Sequence, residues 1–206
     1  MTPVYQKRRV AGVMPSQPRG AGRPRDPKID ERIMNAAVKL LLRDGPNGMT
    51  MDAVAKEAQV GKATVYRRWK TKDALMEAAT KHLHRNKIVA PNTGVLRDDL
   101  VKLMSDVLEF VNSQEGANYF KLLIGESTCN KAIAVLYRDA FSHLKQQLQE
   151  CFERGWQRGE VASNANVSLA VELLVGVVFQ YVALDDAPAS EYDVNLLVDF
   201  VLRGLN

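Results

Sequence analysis

Residues 62–69, KATVYRRW, place two apolar side chains, Val65 and Trp69, one helical turn apart among small, hydroxylated and basic ones. If the stretch is helical with Val65 and Trp69 inward, then Lys62, Ala63, Thr64, Tyr66 and Arg67 fall on or beside the outer face. Together these side chains suit one kind of chemistry. A lysine can reach the acceptors of guanine, a threonine offers a hydroxyl to a base or its methyl to thymine, and a small alanine lets the helix sink close. Tyr66, Arg67, Arg68 and Lys72 are better suited to phosphate oxygens, which set position rather than sequence.

Catalysis has no comparable candidate. The sequence shows no activated nucleophile, no paired catalytic carboxylates and no phosphate-cradling glycine loop, so it reads as a non-enzyme that needs no cofactor. His82 and His84 stand two apart on an expected helix and point about 200° away from each other, which spoils a shared metal site. Cys129 and Cys151 fit neither a disulfide framework nor zinc-ligand spacing, so both read as core filler in a reducing cytoplasm. His143 lies beside an apolar stripe and reads as a satisfied core group, with a hydrogen bond to a ligand as the alternative.

The elements that must hold the 62–69 segment are all helical. Residues 1–25 mix basic residues with Pro3, Pro15, Pro18, Pro24 and several glycines, and read as a flexible basic arm. Asp26-Pro27 opens a first helix carrying Ile29, Ile33, Ala37 and Leu40, which Asp44-Gly45-Pro46 should end. Thr50 can cap a short second helix through Val54, Ala55 and Ala58. Gln59-Val60-Gly61 interrupts it before the third, and Thr71 caps a fourth through Leu75, Ala79 and Leu83. Short helix, tight turn and short helix is the arrangement that sets one helix in the major groove of DNA.

Beyond Pro91-Asn92-Thr93-Gly94 the pattern stays helical. Leu96 to Val111 carries a wide apolar stripe, Tyr119 to Ile124 a short segment, and Ile133 to Phe152 a long one that ends near Gly155 and Gly159. Val167 to Leu184 is apolar nearly all round, and Val194 to Leu205 is amphipathic. With no strand alternation and no repeat, the fold class is all-α with about nine helices. The expected division is an arm (1–25), a helix-turn-helix head (26–74) and a helical body for effector binding and dimerisation (75–206). The longest apolar run, Leu173 to Leu184, holds Gln180 and is far short of the roughly 20 residues that span a bilayer, so no membrane partner is expected.

Charge divides the chain in the same place. Residues 1–72 hold 16 Lys/Arg against 6 Asp/Glu, about +10, whereas 73–206 hold 12 against 18, about −6. A basic head is drawn to a polyanion while an acidic body stays off it.

The same residues resemble the DNA-binding domain of tetracycline-repressor-type (TetR) regulators. The resemblance rests on Thr64-Val65-Tyr66, Trp69 and Thr71-Lys72-Asp73-Ala74-Leu75. Upstream, Gly22-Arg23-Pro24-Arg25-Asp26-Pro27 and Gly48-Met49-Thr50 add to it. Arg158-Gly159-Glu160-Val161 and the last two helices extend it loosely to residue 206. It implies that Thr50 and Tyr66 contact phosphates, that Lys72 caps a helix onto the DNA backbone, that positions 62–64 face bases, and that Arg23 and Arg25 belong to a DNA-seeking arm. Two positions depart from the pattern. The usual turn glycine is Gln59, where a left-handed backbone would cost about 1–2 kcal/mol. The usual capping serine is Gly61.

The resemblance further implies a ligand cavity among the middle helices, for which Met104, Phe120, Tyr137, Phe141 and Phe179 are the candidates. Gly176 inside the penultimate helix suggests a close helix–helix approach. A homodimer interface on the last two helices would supply it, with Leu174, Gly176, Val178, Val194, Leu197 and Val201 as candidates. The expected partners are thus double-stranded DNA with a near-palindromic operator, a second copy of the chain and an unknown small-molecule effector. The expected function is a sequence-specific regulator, a repressor released by a small hydrophobic ligand. The alternative is a sequence-tolerant architectural DNA binder without ligand control.

Overall fold

The computed structural model describes residues 27–127, 131–184 and 193–205, and among them every regular element is a helix. α1 spans Pro27–Gly48, α2 Met51–Glu57, α3 Lys62–Arg68, α4 Lys72–Lys87, α5 Leu96–Asn112, α6 Gln114–Ser127, α7 Lys131–Gln157, α8 Val167–Leu184 and α9 Val194–Arg203. Arg23, Arg25, Cys129 and the turn before α9 lie outside the described residues.

Local chemistry sets most of these limits. α1 does not stop at Gly45 as its sequence suggests. The chain kinks there at φ 70° and resumes helical geometry at Pro46, whose missing N–H suits the first turn of a new segment. Thr50 and Thr71 cap α2 and α4, their hydroxyls accepting from the N–H of Ala53 and of Ala74, each at 3.1 Å. α6 is longer than the apolar pattern alone indicates, because Ser113 accepts the Gly116 N–H at 3.0 Å and starts the helix at Gln114. Asp193 caps α9 by accepting from Asn195 and Leu196.

Ile33, Ala37, Leu41, Met49, Val54, Val65 and Leu75 are buried and close the head over α1, α2, α3 and the start of α4. α4 continues out of the head to pack on α5 and α7, and α6 packs back onto α1. Two helices therefore bridge head and body. In the body, Leu100, Leu103, Met104, Leu123, Ile133, Leu144, Leu148, Phe152, Leu174 and Val198 are all buried.

The end of the body away from this bridge is tied by ions. Asp99 on α5 is fully buried, and one carboxylate oxygen accepts from the Thr93 N–H at 2.6 Å and the Thr93 hydroxyl at 2.8 Å. The other lies 3.9 Å from the Arg154 guanidinium and 3.8 Å from that of Arg158, both near the C-terminus of α7. Arg154 also donates to the Pro91 carbonyl. Glu160, held below the usual carboxylate range by the Leu96 N–H and by Arg158, accepts that N–H at 2.7 Å and so caps α5. Gly155 makes the approach possible, since a Cβ there would lie 2.8 Å from the Leu96 side chain.

Candidate nucleic-acid interface

Packing of α3 against the head fixes what it can present. Val65 is fully buried and Trp69 half-buried, which turns Lys62, Ala63, Tyr66 and Arg67 to the exposed side and leaves Thr64 at its edge. The tyrosine ring is 46% exposed, unusual for a large aromatic in so small a domain. Thr50 is exposed at the start of α2 and Lys72 half-buried at the start of α4, so two helix N-termini carry a hydroxyl or an ammonium group beside the α3 face. A threonine that accepts from its own helix still has its O–H to give outward.

The turn between α2 and α3 is built despite its sequence. Gln59 takes a left-handed backbone, φ 52°, where the resemblance leads one to look for glycine. Arg32 of α1 stabilises that conformation by donating to the carbonyls of Ala58 at 2.5 Å and Gln59 at 3.2 Å. Gly61 stands at the cap of α3 without a side-chain hydrogen bond, and its φ of −65° needs no glycine.

Two features escaped the sequence reading. Lys62 is bridged to Asp52 of α2 at 2.5 Å, with both side chains exposed, so the first residue of α3 is aimed by its neighbour. The carboxylate, through its hydrogen bond first and its charge second, raises the lysine pKa and keeps it fully protonated. Arg68 corrects the reading that grouped it with the phosphate-seeking residues. It is bonded to Asp30 of α1, also donates to the Thr64 carbonyl, and has a side chain only 14% exposed. Arg68 pins α3 to α1. Spacings of 10 and 38 residues carry no periodic signal, so neither pairing was readable from the pattern.

This geometry has close counterparts. Residues 33–79 match the family described as bacterial regulatory proteins, tetR family, and residues 90–201 match the tetracyclin repressor-like C-terminal domain. The chain belongs to the tetR family. The HTH-type transcriptional regulator YdeS of Bacillus subtilis (strain 168) is 30% identical over 89% of this chain and 93% of its own length. The TetR family transcription regulator SCO0332 superposes with a TM-score of 0.70 at 25% identity, covering 87% of this chain and 99% of that one. The transcriptional regulator FadR from Bacillus subtilis, solved in complex with stearoyl-CoA, superposes at 0.59 and 20% identity over 85% and 97%. The chain is a DNA-binding transcriptional regulator of the helix-turn-helix type, and every regular element among its described residues is a helix.

The remaining candidates of this tetR-family body are distributed as follows. Tyr137, Phe141 and Phe179 contact one another, with ring centroids 5.0, 5.8 and 6.5 Å apart. Phe120 packs instead on Phe110 and Tyr119, and Met104 is fully buried on α5. Of the six interface candidates, Leu174, Val178 and Val201 are corrected. They are 0%, 2% and 4% exposed in their own protomer and have no surface to offer a second copy. Val194 and Leu197 are half-buried, packed against the core, and Gly176 alone is exposed. Among the described side chains, the large apolar ones exposed on these helices are Leu169, Leu173 and Phe179 on α8 and Leu196 and Phe200 on α9.

Proposed function

We propose that this chain binds a near-palindromic operator as a homodimer in the cytoplasm and acts as a repressor that a small hydrophobic ligand releases. The division of labour is a DNA head ending near residue 74 and a body from residue 75. The observation that carries the DNA half is the exposed α3 face: Lys62, Ala63 and Thr64 toward the bases, Tyr66 and Arg67 toward phosphates. Thr50 and Lys72 fix the backbone on either side, and Arg23 and Arg25 would join from the arm. Neither the exposed cations Arg67 and Lys70 nor the half-buried Lys72 forms an ion pair among the described residues, leaving them to phosphate. Their contacts make binding fall steeply with salt.

Support for the homodimer comes from α8 and α9. Leu196 and Phe200 are 65% and 72% exposed, and with Leu169, Leu173 and Phe179 they put five exposed apolar side chains on two helices that pack against each other, a surface of the kind that marks an interaction site. Gly176 lies on that face with nothing of its own protomer within 4 Å of the position a Cβ would take. A second copy is the occupant that the family membership favours, and twofold symmetry then spaces two α3 helices about 34 Å or a multiple apart. The effector half is supported by the aromatic group Tyr137, Phe141 and Phe179, with Met104 and Phe120 deeper in the body, and by the acyl ligand that FadR, a protein of this fold, was solved with. Binding in the body would change operator affinity only by preferring one spacing of the heads, a coupling of typically about 1–3 kcal/mol.

Selection of bound fragments from random duplex by the purified protein tests this reading. Recovery of an inverted repeat with half-sites one or more turns apart is the expected outcome. Fragments without common sequence would instead favour the architectural alternative.

A further inference from the structure

The groove between α4 and α7, on the side of α7 away from the aromatic group, is lined in a way that packing alone does not require. Asp139, Ser142, His143 and Gln146 stand at i, i+3, i+4 and i+7 on α7, facing Lys81, His84 and Arg85 at i, i+3 and i+4 on α4. Two polar stripes thus oppose each other where two helices meet, and the open groove between them has a volume of about 330 Å³. That is the lower end of the roughly 300–1,000 Å³ typical of small-molecule sites.

The floor is two nearly parallel imidazoles, His84 and His143, with ring centroids 6.2 Å apart and planes at 17°. His84 is buried and bonded through Nε2 to the Tyr119 hydroxyl at 3.1 Å. The Nε2 of His143 lies 2.9 Å from the Ile88 carbonyl, which can only accept, so Nε2 carries the proton and Nδ1 of the neutral ring keeps its lone pair. Asp139 offers a second acceptor; the pKa of Lys81 is raised first by its hydrogen bond to Glu77, then by the Glu77 charge and less by that of Asp139. On the rim, Lys81 is engaged by Glu77 at 2.6 Å. Arg85 spends only its Nε, on the Lys81 carbonyl at 3.2 Å, and forms no ion pair among the described residues.

We propose that this groove binds a small hydroxycarboxylic acid. Its carboxylate would pair with the two remaining nitrogens of the Arg85 guanidinium, the bidentate geometry for which that group is suited. Its hydroxyl would donate to Nδ1 of His143 or to Asp139, and the Ser142 hydroxyl can serve either group. The inference goes beyond the hydrophobic effector proposed above, because the site lies on another face of α7 and bears directly on the helix that carries Lys72 into the head.

Calorimetric titration of the full-length protein without DNA tests it, so that failure here is distinguishable from failure of the DNA reading. The probes are 4-hydroxybenzoate, salicylate and 3-hydroxybutyrate, with methyl 4-hydroxybenzoate lacking the charge and benzoate lacking the donor. Saturable binding of at least one hydroxy acid is expected, with its matched ester or donor-free analogue bound about 10-fold or more weakly. Arg85→Ala, at an exposed position that leaves the core intact, should abolish the preference for acid over ester, and His143→Gln should reduce the preference for the hydroxylated probe. No saturable heat from any of the three acids at millimolar concentration would overturn the proposal, as would an acid-over-ester preference that Arg85→Ala leaves unchanged.

Discussion

The head and the body expose opposite kinds of surface. Among the described large hydrophobic residues that are exposed, Tyr66 alone belongs to the head, whereas Leu169, Leu173, Phe179, Leu196 and Phe200 crowd two helices of the body. The head's outer face is basic and hydroxylated, matched to a polyanion that stays wet at the contact. The exposed apolar side chains of the body would, in the proposed dimer, meet a copy of the chain and exclude water. One chain would then have two interfaces held by different forces, one weakened by salt and the other nearly indifferent to it.

The largest expected effect breaks the body's side of this comparison. The double substitution Leu196→Asp, Phe200→Asp places two charges in the proposed dimer contact. Sedimentation should show a monomer, and operator affinity should fall about 1,000-fold or more as the two-headed grip is lost. A dimer that survives both changes would move the interface elsewhere.

The next effect lies at the junction of the two regions. Burial, helped by repulsion from His143, lowers the pKa of His84 from 6.5 to about 4. The unfolded chain then binds the proton more tightly than the folded one. The stabilisation is fully present above pH 6.5 and is lost as pH falls from there toward 4, by up to roughly 3 kcal/mol. Melting temperatures of the wild type should drop across this window, and those of His84→Gln, lower throughout, should drop less.

On the head's side, Tyr66→Ala and Lys72→Ala should each weaken every duplex about 10-fold regardless of sequence, with the lysine change reducing the salt slope by about one. Thr64→Val should leave that slope alone and change which base is preferred, by about 1–3 kcal/mol at one position. Both are read by fluorescence anisotropy across a salt series. The smallest effect is structural: Gln59→Gly should raise stability by about 1 kcal/mol, measured by denaturant unfolding, since glycine takes a φ of 52° without the steric cost that glutamine bears.

How much of this was legible in the sequence differs between the regions for a physical reason. In the head, Val65 and Trp69 alternate with polar residues, so one periodic signal fixes both the inward and the outward face. α8 is apolar nearly all round, and periodicity cannot say which of its apolar stripes is covered by its own protomer. The sequence reading therefore places Leu174 and Val178 at the surface, while the chain keeps them inside and exposes Leu169 and Leu173. α9 misled in the opposite way. Its clear stripe of Val194, Leu197, Val198 and Val201 serves the protomer's own core, and the exposed apolar side chains are Leu196 and Phe200, which lie off that stripe. The start of α6 and the fate of Arg68 were hidden because each depends on a single side-chain hydrogen bond or ion pair, Ser113 to Gly116 and Asp30 to Arg68.

The carboxylate of Asp99 has a mechanical consequence. By fastening the approach to α5, the start of α5 and the last turns of α7 to one another, it makes the far end of the body an anvil. A blow delivered by a ligand cannot be absorbed there, because giving way would strand a buried negative charge. In the proposed ligand response the recoil would travel the other way, along α4 and α6, both of which pack against α1 and so against the DNA-reading head.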